Sequence, residues 1–268
     1  MNGLHDFFRP LGRNGPPVSP LGLGTVKLGR NQGVKYPNGF ALPDDRSARE
    51  LLALARDLGI NLLDTAPAYG ISEERLGPLL GGQRQHWVIM TKVGEEFVNG
   101  QSLFDFSAAH TRKSVERSLT RLNTDYLDAV LVHSDGEDRH ILQHEEVYAT
   151  LAQLKQEVKI GQFGFSGKTV EGGLLALEQG DCAMVTYNLN EQEEKPVLDY
   201  AHAHGKAILI KKALASGHIC QQEGVDPVRA SFELIFGHPG TTSAVIGTIN
   251  PGHLQHNVQQ AALVLGRD

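Results

Sequence analysis

The feature of the sequence that most constrains the fold is a repeated alternation of short apolar runs with longer segments whose apolar residues have helical spacing. The short runs are apolar throughout, which is typical of parallel strands buried on both faces. Such strands are predicted eight times, in SPLGLGT, NLLD, WVIMTK, LDAVLVH, QFGFS, AMVTYN, KAILIK and SAVIGT. Because right-handed crossovers between such strands close a sheet into a ring, the sequence predicts the α/β class and a (β/α)₈ TIM barrel.

The segments outside these strands are consistent with one domain. A predicted helix after the third strand carries Val115, Leu119 and Leu122 at the spacing of one buried stripe. Before the first strand, the segment from Phe8 to Val18 contains an Asn-Gly pair, which is a strong β-hairpin signal. A barrel of about 250 residues is a normal single domain. We see no linker, so residues 1–268 are interpreted as one domain.

Composition argues against several kinds of partner. The formal net charge is −6 and the basic residues are dispersed, so neither nucleic acid nor an anionic membrane is an expected partner. Two cysteines, Cys182 and Cys220, are too few for a disulfide framework and fit a reducing compartment. The N-terminal segment has no apolar signal-peptide core, and no run of about 18 apolar residues occurs. We therefore expect a cytoplasmic protein, either a monomer or a weak homo-oligomer.

Ionisable residues stand at or just after the ends of three consecutive predicted strands. Asp64 closes the second strand and Tyr69 follows it, Lys92 closes the third, and His133 closes the fourth. In a barrel of parallel strands all of these ends lie on one face. Each residue alone has an ordinary explanation as a turn cap, a packed aromatic, a solvated lysine or a core histidine. Their coincidence favours a reaction site.

Two glycine-rich segments do not match nucleotide-binding fingerprints. The segment Gly22–Thr25 would need glycine at Lys27 to complete G-x-G-x-x-G, and a long loop rather than a helix is predicted after it. Gly161 and Gly167 are one residue too far apart for a P-loop. A Rossmann domain and a P-loop NTPase are therefore disfavoured.

Histidines are numerous, but their spacing does not predict a metal site. His202 and His204 project from different faces of a helix, whereas a helical metal pair needs a spacing of four. His253 and His256 begin the last helix without a neighbouring set of cysteines or carboxylates in the sequence. No metal is expected.

The connection between the eighth strand and its helix is a candidate anion site. Exposed backbone N–H groups and the helix dipole at Gly247–Pro251 favour a bound anion. TIM barrels frequently bind phosphate beside their last two strands. The sequence therefore predicts a phosphate site at this connection.

The strand-end motifs resemble those of a known family. DTAPAYG, MTK and LVHSD, in this order, resemble the catalytic tetrad of the aldo-keto reductases, which would be Asp64, Tyr69, Lys92 and His133 here. The similarity extends over nearly the whole chain, through RPLGRNGPPVSPLGLGT, GQFGFSGKT, TYNLNEQ, ALASG and VIGTINPGHLQHN. The resemblance implies a barrel whose bottom is closed by the N-terminal hairpin. It also implies an NAD(P)H-dependent oxidoreductase that reduces aldehydes or ketones to alcohols, with a small-molecule carbonyl compound as substrate.

The resemblance also implies a set of cofactor-binding residues. It assigns to the cofactor Thr25, Val26, Asp64, Ser166, Gly167, Met184, Lys211, Leu214, Ser216, Gly247, Thr248, His253 and Asn257. Gly167, Met184 and Lys211 depart from the asparagine, glutamine and aromatic residue that many members have around the nicotinamide. His253 stands where an arginine often binds the 2′-phosphate of NADP, and imidazole is a weaker partner for a dianion than guanidinium. NADP is the expected cofactor, with NAD as the alternative.

The four strand-end residues suit the reduction of a carbonyl group. A bound nicotinamide supplies hydride, and the protein must supply a proton. Tyr69 would donate it, since the Lys92 ammonium group would favour the phenolate that remains. Asp64 would pair with Lys92 and orient it, and His133 would hydrogen-bond the substrate oxygen.

Other functions and the substrate remain open at this point. The same chemistry run as an oxidation would give an NAD-linked sugar dehydrogenase, and a cofactor-sensing protein with little turnover is a third alternative. A long Gly- and Pro-rich loop before a helix at Asp44 is expected to overhang the site. An aromatic rim around the substrate, or loops packed on themselves, is predicted from Tyr36, Phe40, Phe97, Phe104 and Phe106. Because few residues follow the last helix, we expect an open site.

Overall fold

The apolar runs form the strands of a closed ring at the centre of the molecule. The computed structural model describes residues 3–34, 39–215 and 226–266. The strands in this part are β1 (Arg9–Pro10), β2 (Pro17–Val18), β3 (Leu21–Gly24), β4 (Leu62–Asp64), β5 (Val88–Val93), β6 (Glu95–Val98), β7 (Gln101–Phe104), β8 (Leu127–His133), β9 (Ile160–Ser166), β10 (Cys182–Thr186), β11 (Ala207–Lys211) and β12 (Ser243–Ile246). Eight parallel strands close in the order β3-β4-β5-β8-β9-β10-β11-β12 and back to β3. The predicted (β/α)₈ barrel is confirmed.

The helices surround this ring. They are α1 (Val26–Gly29), α2 (Asp45–Asp57), α3 (Ser72–Leu79), α4 (Ala108–Arg121), α5 (Asp138–His144), α6 (Val147–Gln156), α7 (Val170–Gln179), α8 (Lys195–His204), α9 (Pro227–Phe236) and α10 (Pro251–Leu265). Several begin at a side chain that accepts a backbone N–H: Asp44 accepts from Ser47 at 2.7 Å, and Ser107 accepts from His110 at 3.2 Å. Such caps satisfy N–H groups that have no partner within the helix. Among the described residues, no helix combines the length and the apolar character that crossing a membrane requires.

Two apolar layers hold the barrel together. The outer layer lies between strands and helices and includes the fully buried Val115 from α4, as the predicted stripe requires. The inner layer fills the barrel and consists of Leu11, Val18, Leu62, Val88, Met90, Ala129, Leu131, Cys182, Met184, Ala207 and Leu209. Leu11 and Val18 come from the predicted hairpin, whose strands β1 and β2 are antiparallel. Each is fully buried, and burial of such a side chain stabilises the fold by about 1.5–3 kcal/mol. The hairpin thus closes the barrel floor, as expected.

Three elements were not predicted from the sequence. The short helix α1 occupies the start of the segment expected to be a loop, and α5 precedes α6 in the fourth connection. A second antiparallel hairpin, β6–β7, follows β5 where we expected only a loop. Its turn contains Asn99 and Gly100 at positive φ angles of 51° and 82°, the conformation that Asn-Gly hairpin turns adopt.

Gly94 allows the β6–β7 hairpin to fold back over the barrel. It separates β5 from β6 and has a φ of +98°, which other residues rarely adopt. A Cβ atom at this position would lie 2.4 Å from Cε1 of Phe106. Glycine is therefore required both for the turn and for the close contact. The turn places Glu95 at the barrel mouth, where β6 packs against the Pro67–Tyr69 turn.

Candidate active site

Strand alternation brings the predicted site residues to the barrel mouth. Side chains alternate between the two faces of a strand, so a residue two positions after an inward-facing one also faces inward. Asp64 lies two residues after the inner-layer residue Leu62. In the same way, Lys92 lies two residues after Met90, and His133 lies two residues after Leu131. Register then sets their height, because Asp64 pairs with Met90 and Lys92 with Leu131. The sequence pattern therefore becomes a cluster of inward-facing polar groups.

Lys92 is the centre of this cluster. Its Nζ atom lies 2.5 Å from Asp64 Oδ1, and it donates to the Thr65 carbonyl and to the Tyr69 hydroxyl, each at 3.0 Å. The Lys92 side chain is only 1% exposed. A buried charge is tolerated only when it is paired and hydrogen-bonded. Here three partners satisfy the ammonium group.

Tyr69 reaches Lys92 because the chain turns back after β4. Residues Pro67–Tyr69 form a 3₁₀ turn with proline at its start. The Tyr69 hydroxyl also lies within hydrogen-bond distance of Asp64 Oδ2, at 3.3 Å. Its ring meets that of His133 edge-on, with the two centroids 6.4 Å apart. All four predicted catalytic residues are therefore in one contiguous group.

His133 has a neighbour that the sequence did not reveal. Its Nδ1 atom lies 2.6 Å from Oε2 of Glu95, although the oxygen is not aligned with the N–H direction of a straight hydrogen bond. Burial raises the pKa of Glu95, but His133, the Ser102 hydroxyl and Arg30 together outweigh this effect and lower the pKa to about 2. Burial lowers the pKa of His133, and Glu95 opposes this only in part. The Asn-Gly turn could have signalled the hairpin, but no sequence pattern indicated which of its side chains meets His133.

A cleft of about 1290 Å³ opens at the carboxyl ends of the strands. Asp64, Tyr69, Lys92 and His133 line its inner end. The predicted cofactor residues that line it are Val26, Asp64, Ser166, Gly167, Met184, Lys211, Leu214, Gly247, Thr248, His253 and Asn257. Thr25 is different, because its side chain is buried and its hydroxyl donates to the Asp64 carbonyl at 2.9 Å. Ser216 lies outside the described residues.

Two charged residues stand in the cleft wall, Lys211, which the resemblance assigned to the cofactor, and Glu194, which the sequence reasoning missed. Glu194 accepts the backbone N–H of Thr186 at 2.7 Å, and burial raises the pKa of its carboxyl. Lys211 donates to the Gly167 carbonyl and approaches the Ser166 hydroxyl at 3.4 Å. Burial lowers the pKa of Lys211 from 10.5 to about 8. The wall around Ser166 and Met184 is thus more highly charged than we expected.

The outer end of the cleft is formed by the start of α10. Asn250 caps this helix by accepting from the backbone N–H of His253 at 3.1 Å. His256 also lines the cleft, and its Nε2 atom lies 2.9 Å from Oδ2 of Asp226. Among the described residues, the cleft lining contains no arginine.

The predicted aromatic rim has a different role where the structure describes it. Phe97 packs beneath Arg30, whose Cζ atom is 3.3 Å from the ring centroid. Phe106 is buried next to Gly94. Both observations favour the alternative in which the loops pack on themselves. Tyr36 lies outside the described residues.

Comparison with known proteins establishes the family. The Aldo/keto reductase family model matches residues 20–219, and the chain belongs to this family. A putative aldo-keto reductase of known structure from Pseudomonas aeruginosa is 66% identical with a TM-score of 0.90, and the match covers 99% of this chain and 98% of that one.

Two curated relatives extend the comparison. Aldo-keto reductase YhdN from Bacillus subtilis is 31% identical over 75% of this chain, and the match spans 60% of YhdN. L-galactose dehydrogenase from Arabidopsis thaliana is 32% identical over 80% of this chain, and the match spans 67% of that protein. The chain thus spans less than two thirds of the length of YhdN.

Proposed function

We propose that this protein is an NAD(P)H-dependent oxidoreductase that reduces aldehydes or ketones to alcohols. The observation that carries the proposal is the buried group at the cleft wall, in which Lys92 Nζ lies 3.0 Å from the phenol oxygen of Tyr69 and 2.5 Å from Asp64 Oδ1. This arrangement pairs a proton donor with a fixed positive charge. Membership of the aldo-keto reductases supports the same assignment.

The cleft fits a nicotinamide dinucleotide. Its volume of about 1290 Å³ exceeds the ~300–1,000 Å³ of ordinary small-molecule pockets, leaving room for a long cofactor and a substrate. Glu194 Oε1 is buried in its wall without a hydrogen-bond partner among the described residues, so an acceptor remains for a polar ligand group. The start of α10 offers a helix N-terminus to an anion. We assign Val26, Ser166, Gly167, Met184 and Lys211 to the nicotinamide half.

The remaining assigned residues would hold the rest of the cofactor. Leu214 would lie along the pyrophosphate, and Gly247, Thr248, His253 and Asn257 would surround the adenosine end. Since imidazole is a weaker partner for a phosphate dianion than guanidinium, we propose that NADP and NAD are both accepted with only a small preference.

Tyr69 has the chemistry required of the proton donor. When bound, the nicotinamide cofactor supplies the hydride that the protein cannot. Loss of the Tyr69 proton leaves a phenolate, which the Lys92 ammonium group stabilises across 3.0 Å. Asp64 fixes Lys92 in place and balances its charge. His133, beside Tyr69, would contact the oxygen of the substrate.

Replacement of Tyr69 with phenylalanine tests this assignment. The variant removes the hydroxyl and keeps the ring, so NADPH and NADH should quench protein fluorescence with nearly unchanged affinity while carbonyl reduction falls by ~10²–10⁴-fold. Wild-type turnover would be measured with a panel of aldehydes and ketones. Full reductase activity in Tyr69→Phe would show that the assignment is wrong.

A second function is favoured by the outer end of the cleft. His253 and His256 line this end, and Asp226 pairs with His256. These groups suit NAD better than NADP, which carries a 2′-phosphate dianion. The 32% identity to L-galactose dehydrogenase points to sugar oxidation with the same residues. Faster turnover of aldoses with NAD than of any carbonyl compound with NADPH would select this function. Tight cofactor binding without turnover would select a sensor, although the complete set of four residues argues against it.

A further inference from the structure

Glu95 is a charged group at the reaction site that lies outside the four assigned residues. It is the first residue of β6, and its Oε2 atom lies 2.6 Å from Nδ1 of His133. The inference drawn from this contact rests on the proposed function, because it concerns the hydrogen bond between His133 and the substrate oxygen.

The fold holds Glu95 in this position from several sides. Gly94 turns the chain back over the barrel, and the pairing of Glu95 with Phe104 fixes the start of the hairpin. The Ser102 hydroxyl donates to the other carboxylate oxygen of Glu95 at 2.5 Å. Arg30 adds a positive charge nearby, and with His133 it keeps the carboxyl ionised, with a pKa of about 2. Glu95 is therefore a carboxylate at any working pH.

A carboxylate beside Nδ1 determines where the proton of a neutral imidazole resides. Neutral imidazole has one N–H and one bare nitrogen, and an ionised carboxylate can only accept. The favourable arrangement places the proton on Nδ1, directed at Glu95, after a small rotation that aligns the contact. Nδ1 is buried while His133 lines the cleft, so Nε2 is the nitrogen available to a substrate. In the neutral form that nitrogen carries only a lone pair.

We propose that Glu95 is a positioning residue that holds neutral His133 in its Nδ1–H tautomer, so that Nε2 donates a hydrogen bond to a carbonyl oxygen only when His133 is an imidazolium. A carbonyl oxygen has no proton to offer, and its lone pairs would repel the bare Nε2. A hydrogen bond from His133 to a carbonyl substrate therefore requires the imidazolium form.

The charges around His133 determine the pH at which its ring is protonated. Tyr69 in the turn after β4, Lys92 on β5, Glu95 on β6 and Lys211 on β11 face His133. Burial lowers the pKa of His133, Lys92 and Lys211 lower it further, and Glu95 raises it. His133 is therefore an imidazolium only at a pH below the usual pKa of histidine. Reduction should therefore weaken as pH rises through that lowered pKa.

Nitrogen-15 NMR of the histidine rings tests the tautomer without any substrate. The His133 signals are assigned by their loss in His133→Asn, and the spectrum is recorded above the pH at which the ring loses its charge. We expect a protonated Nδ1 and a bare Nε2 in the wild type, with the Nε2–H form appearing in Glu95→Gln. A neutral wild-type ring protonated on Nε2 would overturn the proposal.

The pH dependence of turnover provides a second test with a matched control. Wild-type kcat/KM for reduction should fall about tenfold per pH unit above the His133 transition, because one proton is required. Glu95→Gln should lose this dependence. Glu96→Gln removes the same charge from the next residue of β6, where Glu96 pairs with Arg117 instead, and should keep the wild-type profile. A Glu95→Gln profile identical to wild type would contradict the proposal.

Absence of reductase activity in every protein would refute the proposed function, while the NMR result would still decide the tautomer.

Discussion

Lys92 and Tyr69 come from neighbouring parts of the barrel mouth and meet with Nζ 3.0 Å from the phenol oxygen. Lys92 ends a buried strand, whereas Tyr69 belongs to the turn after the preceding strand. The pair depends on Asp64, which contacts both side chains. Removing the charge of Lys92 or of Asp64 should therefore change stability as well as activity.

Lys92→Met should reduce carbonyl reduction by ~10²–10⁴-fold, because the phenolate of Tyr69 loses its neighbouring positive charge. It should also destabilise the protein by roughly 3–5 kcal/mol, since it leaves Asp64 buried without its ion-pair partner. The double variant Asp64→Asn, Lys92→Met should recover part of the stability and none of the activity. Urea unfolding and steady-state kinetics would measure both. A single variant as stable as wild type would argue against the ion pair.

Gly94→Ala should destabilise the protein by roughly 1–3 kcal/mol and displace β6. The new methyl group would lie 2.4 Å from Phe106 Cε1 in a backbone conformation with φ of +98°. Gly82→Ala is the matched control, because φ there is +74° with nothing within 4 Å of the added Cβ. Urea unfolding should show a larger loss for Gly94→Ala. Equal losses would mean that backbone conformation alone matters at Gly94.

Leu11→Ala should cost roughly 2–5 kcal/mol of unfolding free energy, since it opens a cavity at the barrel floor. Leu11 is fully buried within the inner layer and lies far in the fold from the barrel mouth. Cofactor affinity should therefore be preserved. Val98→Ala, at a side chain that is 46% exposed, should cost little. Similar thermal midpoints for the two variants would contradict the role of the hairpin as a floor.

His253→Arg should increase NADPH affinity by about tenfold without changing NADH affinity, because guanidinium binds a phosphate dianion in two-point geometry. His202→Arg adds the same charge on the exposed surface of α8 and serves as the control. Fluorescence titration with both cofactors gives the comparison. Equal changes for NADPH and NADH would place the 2′-phosphate elsewhere.

Lys211 should make stability depend on pH in the alkaline range. Burial lowers its pKa from 10.5 to about 8 in the folded protein, so between these pH values the unfolded chain binds the additional proton. The Lys211 contribution to unfolding free energy should therefore rise as pH increases from about 8 towards 10.5. The difference between wild type and Lys211→Met in urea unfolding isolates it. A difference that stays constant with pH would show that the ammonium group is not destabilised by folding.

Much of the fold could be predicted because its signals are local and periodic. Apolar runs marked the barrel strands, and the side chain of Asp44 marked the start of α2. Convergence of Asp64, Lys92 and His133 followed from parallel strands sharing one face. By contrast, α5 and the β6–β7 hairpin were missed, although Asn99-Gly100 carried a turn signal. Short elements within connections have too few residues for periodicity to reveal them.

The sequence by itself determined the barrel, its hairpin floor and the inward-facing set at the strand ends, because strand alternation and apolar patterning are properties of neighbouring residues. Only the tertiary structure decided that Glu95 meets His133 and that Glu194 stands in the cleft wall. Those contacts depend on the turn at Gly94, on strand register and on burial, which join segments far apart in the chain. The burial that shifts the pKa values of these groups exists only once the ring is closed.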